Sequence, residues 1–278
     1  MPRTMHERTA LMAMILTLAT GIPASATSVV VLRSADVLVA AVDSKETYER
    51  YGEEGMTREG RMCKVARSGP YYVLVSGLTR GWLDSDSGPL DIIREIEESY
   101  APHGDTPDAS MEALASRLWN GISPKLEIML EAIRRKDESA FASRYLGAAA
   151  LQLMVVGVEG RRPAAKVLEF QVATDPGGRV RIVRHVMGCP GDCANPNSAY
   201  FLGVHGEIDA FLAGNRNFIA KPDERKAETL IRLSYRERPD LVGGPVSLLR
   251  ADRAGVEVVD GGVCGFARST NLRTRSPR

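Results

Sequence analysis

From residue 28 the chain sets short apolar runs between turn residues, then changes to a helical period, then returns to strands. Ser28-Val-Val-Val-Leu-Arg33 and Val37–Val42 (VLVAAV) flank Ser34-Ala35-Asp36, which predicts a hairpin. Residues 44–62 are polar and contain Tyr51-Gly52-Glu53-Glu54-Gly55, so an exposed loop is expected there. Cys63–Arg67 and Tyr71–Ser76 predict a second hairpin around Ser68-Gly69-Pro70. Leu90, Ile93, Glu97 and Tyr100 then share one helical line with Ile92 and Ile96 beside it, and Pro89 suits a first helical turn. Met111, Leu114, Leu118, Ile122, Leu126, Met129 or Leu130, and Ile133 keep the 3.6-residue period, with Pro124 expected to kink or divide that helix. Their stripe reads as core packing rather than a partner-binding face. Strands resume at Leu151–Val158, Lys166–Val172 and Val180–Met187, with Asp175-Pro176-Gly177-Gly178 as a turn. Helices at Glu207–Leu212 and Pro222–Arg238 and a closing hairpin, Pro245–Arg250 with Val256–Val259, complete an α+β order of layered segments.

The first 26 residues stand apart from this pattern. Arg3 and Arg8 precede an apolar run, Ala10–Ile22, that is ended by Pro23 and followed by Ala24-Ser25-Ala26. Such a run is too short to cross a hydrocarbon core needing about 20 residues, but it has the shape of a secretory signal with a small-x-small cleavage site. Residues 1–26 are therefore read as a signal peptide, 27–265 as the folded domain and 266–278 as a basic disordered tail. Cleavage after Ala26 would make Thr27 the first residue, leave no stable membrane anchor, and place the protein in a secreted or periplasmic setting.

Composition narrows the function classes. The 278 residues carry 36 basic and 35 acidic side chains, a balance that gives no polybasic nucleic-acid surface. Loss of residues 1–26 removes Arg3, Arg8 and Glu7 and makes the two signs equal in number. Four cysteines are too few for a disulfide scaffold. Cys189-Pro190-Gly191-Asp192-Cys193 can close a small disulfide loop in an oxidising compartment, and Cys63 and Cys264 either pair or stay buried. His103 and His185 have no cysteine or carboxylate at metal-ligand spacing, so no metal site and no cofactor is expected.

Several stretches together resemble the proteasome β-subunit type of N-terminal nucleophile hydrolase. They are Thr27-Ser28-Val29-Val30-Val31, Ala40-Ala41-Val42-Asp43-Ser44, Lys64-Val65, Val75-Ser76-Gly77 and Val242-Gly243-Gly244-Pro245-Val246. In that family a processed N-terminal threonine is followed sixteen residues later by an aspartate, and Thr27 and Asp43 are sixteen apart. The family's lysine opens the next strand, where Lys64 stands after a loop about five residues longer than usual, and its oxyanion-binding glycine corresponds to Gly77. The resemblance implies a four-layer αββα sandwich and catalysis by Thr27, Asp43, Lys64 and Gly77. It also marks His205, Asp240 and Gly243 as supporting positions.

The chemistry explains the grouping. A threonine hydroxyl is a weak nucleophile, but an N-terminal threonine carries its own base, an α-amino group of reference pKa about 7.7–8.0. A neighbouring lysine favours the deprotonated forms by its charge, and an aspartate holds that lysine and limits the penalty of burying it. The expected activity is hydrolysis of peptides or small amides, with homo-oligomer formation open. The alternative is a non-catalytic sandwich used for binding or assembly, which is favoured by Val242 and His205 standing where the family has serines.

Overall fold

The computed structural model describes residues 27–49, 57–82, 89–99, 110–189 and 197–266. Residues 1–26, Cys193 and the tail from 267 lie outside them. Strands β1 (Ser28–Arg33) and β2 (Val37–Val42) form the expected hairpin, closed by Ser34 donating from both its amide and its hydroxyl to the Val37 carbonyl. The polar stretch that follows is not all loop. β3 (Lys45–Glu49) and β4 (Thr57–Arg61) pair antiparallel as a ribbon of their own, and residues 50–56 between them are not described. With almost no apolar alternation, that ribbon has no hydrophobic period to betray it.

β5 (Val65–Ser68) and β6 (Tyr71–Gly77) make the second hairpin. β7 (Arg80–Trp82) and β8 (Pro89–Asp91) form a further two-stranded ribbon that takes up Pro89, which therefore opens a strand and not the helix. Helix α1 (Ile92–Glu98) begins three residues later, because the Asp91 carboxylate caps it by accepting from the Arg94 amide. Helix α2 (Met111–Lys136) runs unbroken through Pro124, with Leu118, Ile122, Leu126 and Leu130 buried on both sides of the proline. Continuous packing of that face overrides the lost backbone donor. Helix α3 (Glu138–Arg144) follows at once, with Asp137 as its cap.

β9 (Ala149–Glu159), β10 (Arg162–Thr174) and β11 (Val180–Cys189) are longer than their apolar runs suggest. β12 (Ser198–Gly203), α4 (Gly206–Gly214), α5 (Glu224–Glu237), β13 (Ser247–Asp252) and β14 (Gly255–Asp260) complete the order. The strands outside the two ribbons form two antiparallel five-stranded sheets, one in the order β12-β1-β2-β13-β14 and the other β11-β10-β9-β6-β5.

Three apolar layers follow from strand alternation. Val29, Val31, Leu38, Ala40 and Val42 face Leu74, Met154, Val156 and Val167 of the other sheet. The alternate residues Val30, Leu32, Val39 and Ala41 pack against Ile208 of α4 and Ala227, Leu230 and Ile231 of α5. On the second sheet, Val73, Val75, Leu153, Val155, Leu168 and Phe170 pack against α1, α2 and α3. The chain is thus a mixed helix-and-sheet protein in which a dry seam between the sheets holds several strand ends at one level. Cys63 and Cys264 form a disulfide across that seam, with their Cα atoms 4.8 Å apart.

Candidate active site

The β1–β2 hairpin brings the residue before β1 beside the residue after β2. Val29 pairs with Val42, and the Asp43 amide donates to the Ser28 carbonyl at 3.3 Å. Lys64 comes from the other sheet, where it directly precedes β5 and continues the ladder by accepting from the Val75 amide at 3.0 Å. The packing between the sheets then joins the three side chains. Lys64 Nζ donates to Thr27 Oγ1 at 2.8 Å and to Asp43 Oδ1 at 3.2 Å. All three residues are buried, with 2% or less of each exposed.

Asp43 is held from every side. Its Oδ1 also accepts from the Ser28 amide at 3.0 Å, and its Oδ2 accepts from the amides of Lys45 and Gly243 at 3.1 Å each. Burial pushes the Asp43 carboxyl above the usual aspartate value, against the pull of the Lys64 charge and the Ser28 and Gly243 amides. The same burial lowers Lys64 below the usual lysine value, against the opposing pull of Asp43. The result is a dry ammonium whose charge is poorly solvated and whose hydrogens point at a hydroxyl and a carboxylate.

The remaining positions marked by the sequence divide. Gly243 belongs to the group: its amide binds Asp43, and its carbonyl accepts from Ser44 at 3.2 Å and Lys45 at 2.9 Å. Gly77 ends β6 with φ at +103°, and a side chain there would place Cβ 2.4 Å from the Ala150 carbonyl oxygen. Only glycine tolerates both conditions. Asp240 is exposed and forms a two-pronged pair with Arg238 at 3.0 and 2.7 Å. His205 sits at the start of α4 and points its Nδ1 to Asp209 at 2.8 Å, one helical turn on, instead of reaching Thr27. Val242 is fully buried. Cys189 closes β11, and the loop to Cys193 is not described. Among the described residues no group of three or more His, Cys, Asp or Glu could hold a metal, and no helix is long and apolar enough to cross a membrane.

Two positions were not legible as site residues. Ser234, inside the apolar stripe of α5, is fully buried; its hydroxyl accepts from Ser28 Oγ at 2.9 Å and donates to the Val204 carbonyl at 2.7 Å. The Val204 amide in turn donates to the Thr27 carbonyl at 3.0 Å. Gly203, at the end of β12, has φ +76°, and a Cβ on it would lie 1.9 Å from that same carbonyl oxygen. A serine on the buried face of an amphipathic helix was the one available hint for the first, and a Gly-Val-His-Gly turn for the second.

No protein-family profile and no curated protein matches the chain. Among solved structures it is similar to a Gly-1 mutant of Anbu from Hyphomicrobium sp. strain MC1, at 15% identity and a TM-score of 0.46, over 84% of this chain and 85% of that one. A likeness of that size carries no weight by itself.

Proposed function

We propose that the chain is an N-terminal-threonine hydrolase of peptide or small amide bonds, built as a four-layer αββα sandwich, whose nucleophile is freed when residues 1–26 are removed during export. The observation that carries this reading is the 2.8 Å approach of Lys64 Nζ to Thr27 Oγ1, with Asp43 buried behind the lysine. A buried lysine aimed at the hydroxyl of the residue that directly follows the expected cleavage point has little structural use. The Cys63–Cys264 bridge fits an oxidising, secreted or periplasmic setting.

In this mechanism Thr27 Oγ1 attacks the substrate carbonyl carbon while its proton passes to the Thr27 α-amino group. The Lys64 charge stabilises the alkoxide character of the oxygen, and Asp43 fixes the lysine. The Gly77 amide donates to the developing oxyanion, a contact for which a single donor is worth about 3–4 kcal/mol in kcat. The carbon–nitrogen bond then breaks, the leaving amine takes the proton from the α-ammonium, and water cleaves the Thr27 ester by the same steps in reverse.

Two measurements test the reading on the exported protein: N-terminal sequencing, and mass-spectrometric labelling with a peptide epoxyketone. A chain that begins at Thr27 and is labelled there, with labelling abolished in Thr27→Ala, supports it. A mature chain that begins elsewhere, or labelling that survives Thr27→Ala, overturns it in favour of a non-catalytic binding or assembly protein.

A further inference from the structure

Four polar residues stand in one row across the second sheet. Ser76 of β6 is directly opposite Gln152 of β9, Gln152 is opposite Glu169 of β10, and Glu169 is opposite His185 of β11. Two residues along each strand, on the same face, lie Leu74, Met154, Val167 and Met187, which belong to the layer between the sheets. The row therefore lies on the inner face, at the end of the seam where Gly77 and the Thr27 pole meet.

Hydrogen bonds join it from solvent inward. Exposed His185 shares Nδ1 with Glu169 Oε2 at 3.0 Å, and Gln171 donates to the same oxygen at 3.3 Å. Gln152 Nε2 donates to Glu169 Oε1 at 2.6 Å, and Gln152 Oε1 accepts from the Gly203 amide at 3.2 Å. The orientation of the Gln152 amide is fixed by charge: a carboxylate only accepts, so the NH2 must face Glu169 and the oxygen must face Gly203. Gly203 is the residue pressed against the Thr27 carbonyl, and Val204 beside it donates to that carbonyl. Ser76 Oγ lies in the same corner, buried and without a hydrogen-bond partner among the described residues.

We infer that Gln152 is a positioning residue for Thr27, with Glu169 as the group that orients it; the inference rests on Thr27 being the nucleophile. Gly203 occupies a left-handed conformation and has no side chain to anchor it, and its amide is the group through which Gln152 of the second sheet holds it. Holding it fixes the 203–204 peptide, and through the Val204 amide it fixes the carbonyl of the residue that carries the hydroxyl and the amine. Reacting groups displaced by about 1 Å lose on the order of 100-fold in rate. No contact from Gln152 to substrate is needed.

The test is an exchange of the two side chains. Gln152→Glu sets a carboxylate against Glu169, Glu169→Gln removes the charge that orients Gln152, and the two together restore one acceptor and one donor in the opposite arrangement. Two quantities are read on the mature protein: the maximal rate of Thr27 modification by a peptide epoxyketone, and hydrogen exchange at the Gly203 amide. Gln152→Glu is expected to slow modification by about 10–100-fold with little change in inactivator affinity, and to speed Gly203 exchange. Glu169→Gln should do less, and the double variant should recover most of both. A double variant no better than Gln152→Glu alone, or wild-type modification by Gln152→Glu despite faster Gly203 exchange, overturns the inference. If wild-type Thr27 is not modified at all, the hydrolase reading fails. Gly203 exchange then still decides the contact: exchange indifferent to Gln152→Glu overturns it.

Discussion

Lys64 and Asp43 form an ion pair at 3.2 Å in which the lysine side chain is 2% exposed and the aspartate 0%. Both charges are buried, and the carboxylate is further held by the amides of Ser28, Lys45 and Gly243, which donate to it. Asp43 therefore has two tasks, counter-charge to the lysine that is aimed at Thr27 and acceptor for three backbone amides, and an apolar residue of equal size would supply neither.

Breaking the pair from one side should be costly. Asp43→Ala strands the lysine charge and is expected to lower stability by about 3–5 kcal/mol, as read by urea unfolding. Asp43→Leu combined with Lys64→Met removes both charges and should regain the part of that loss due to the unpaired lysine, while the Ser28, Lys45 and Gly243 amides stay without their acceptor. Both variants should fail to label at Thr27. A double variant less stable than Asp43→Ala would contradict the account of Asp43 as counter-charge.

The lowered pKa of Lys64 fixes a sign for the pH dependence. Between its folded value and the unfolded value of about 10.4, the unfolded chain holds a proton that the folded chain has lost. Unfolding takes up that proton, so this residue's contribution to stability rises with pH across the window. Urea midpoints of the wild type measured against Lys64→Met should show the rise only in the wild type.

Gly203 and Gly178 separate two effects of a side chain. Their φ angles are +76° and +77°, but a Cβ at 203 meets the Thr27 carbonyl at 1.9 Å while one at 178 meets nothing within 4 Å. Gly178→Ala is expected to cost only the left-handed backbone term, about 1–2 kcal/mol. Gly203→Ala adds crowding of about 1–3 kcal/mol and should abolish labelling as well. Equal thermal shifts for the two variants would show that the 203 corner yields easily.

Ser234 links α5 to the strand that starts at Ser28. Ser234→Ala leaves the Ser28 hydroxyl without its acceptor and the Val204 carbonyl without its donor, for a loss of about 1–3 kcal/mol. Adding Ser28→Ala should cost less than the sum, because the two share one hydrogen bond. Strict additivity in urea unfolding would exclude the chain of hydroxyls.

What the sequence disclosed and what it hid follow from one distinction. Periodicity exposes elements with one dry face, so the β1–β2 and β13–β14 hairpins, α2 and α5 were all legible. The β3–β4 ribbon, nearly all polar, was not, and Pro89 pointed to a helix start that Asp91 actually caps. In the site, Thr27, Asp43 and Lys64 were singled out by the family resemblance; each sits at the edge of an apolar run, and the hairpin and the packing of the sheets bring the three together. Asp240 and His205 were marked by position alone, and their side chains found nearer partners in Arg238 and Asp209. Ser234 and Gln152 were invisible because their roles exist only once separate elements meet.

The Cys63–Cys264 bridge divides the folded chain mechanically. Everything from β5 to β14 is enclosed in one covalent ring, while the β1–β2 hairpin, with Thr27 and Asp43, lies outside it. Lys64 is the first residue inside. A pull on the amino-terminal end would therefore load the pairing of β1 with β12 and of β2 with β13 while the ring stayed closed, so the site is assembled from one part of the chain inside the ring and one part outside it.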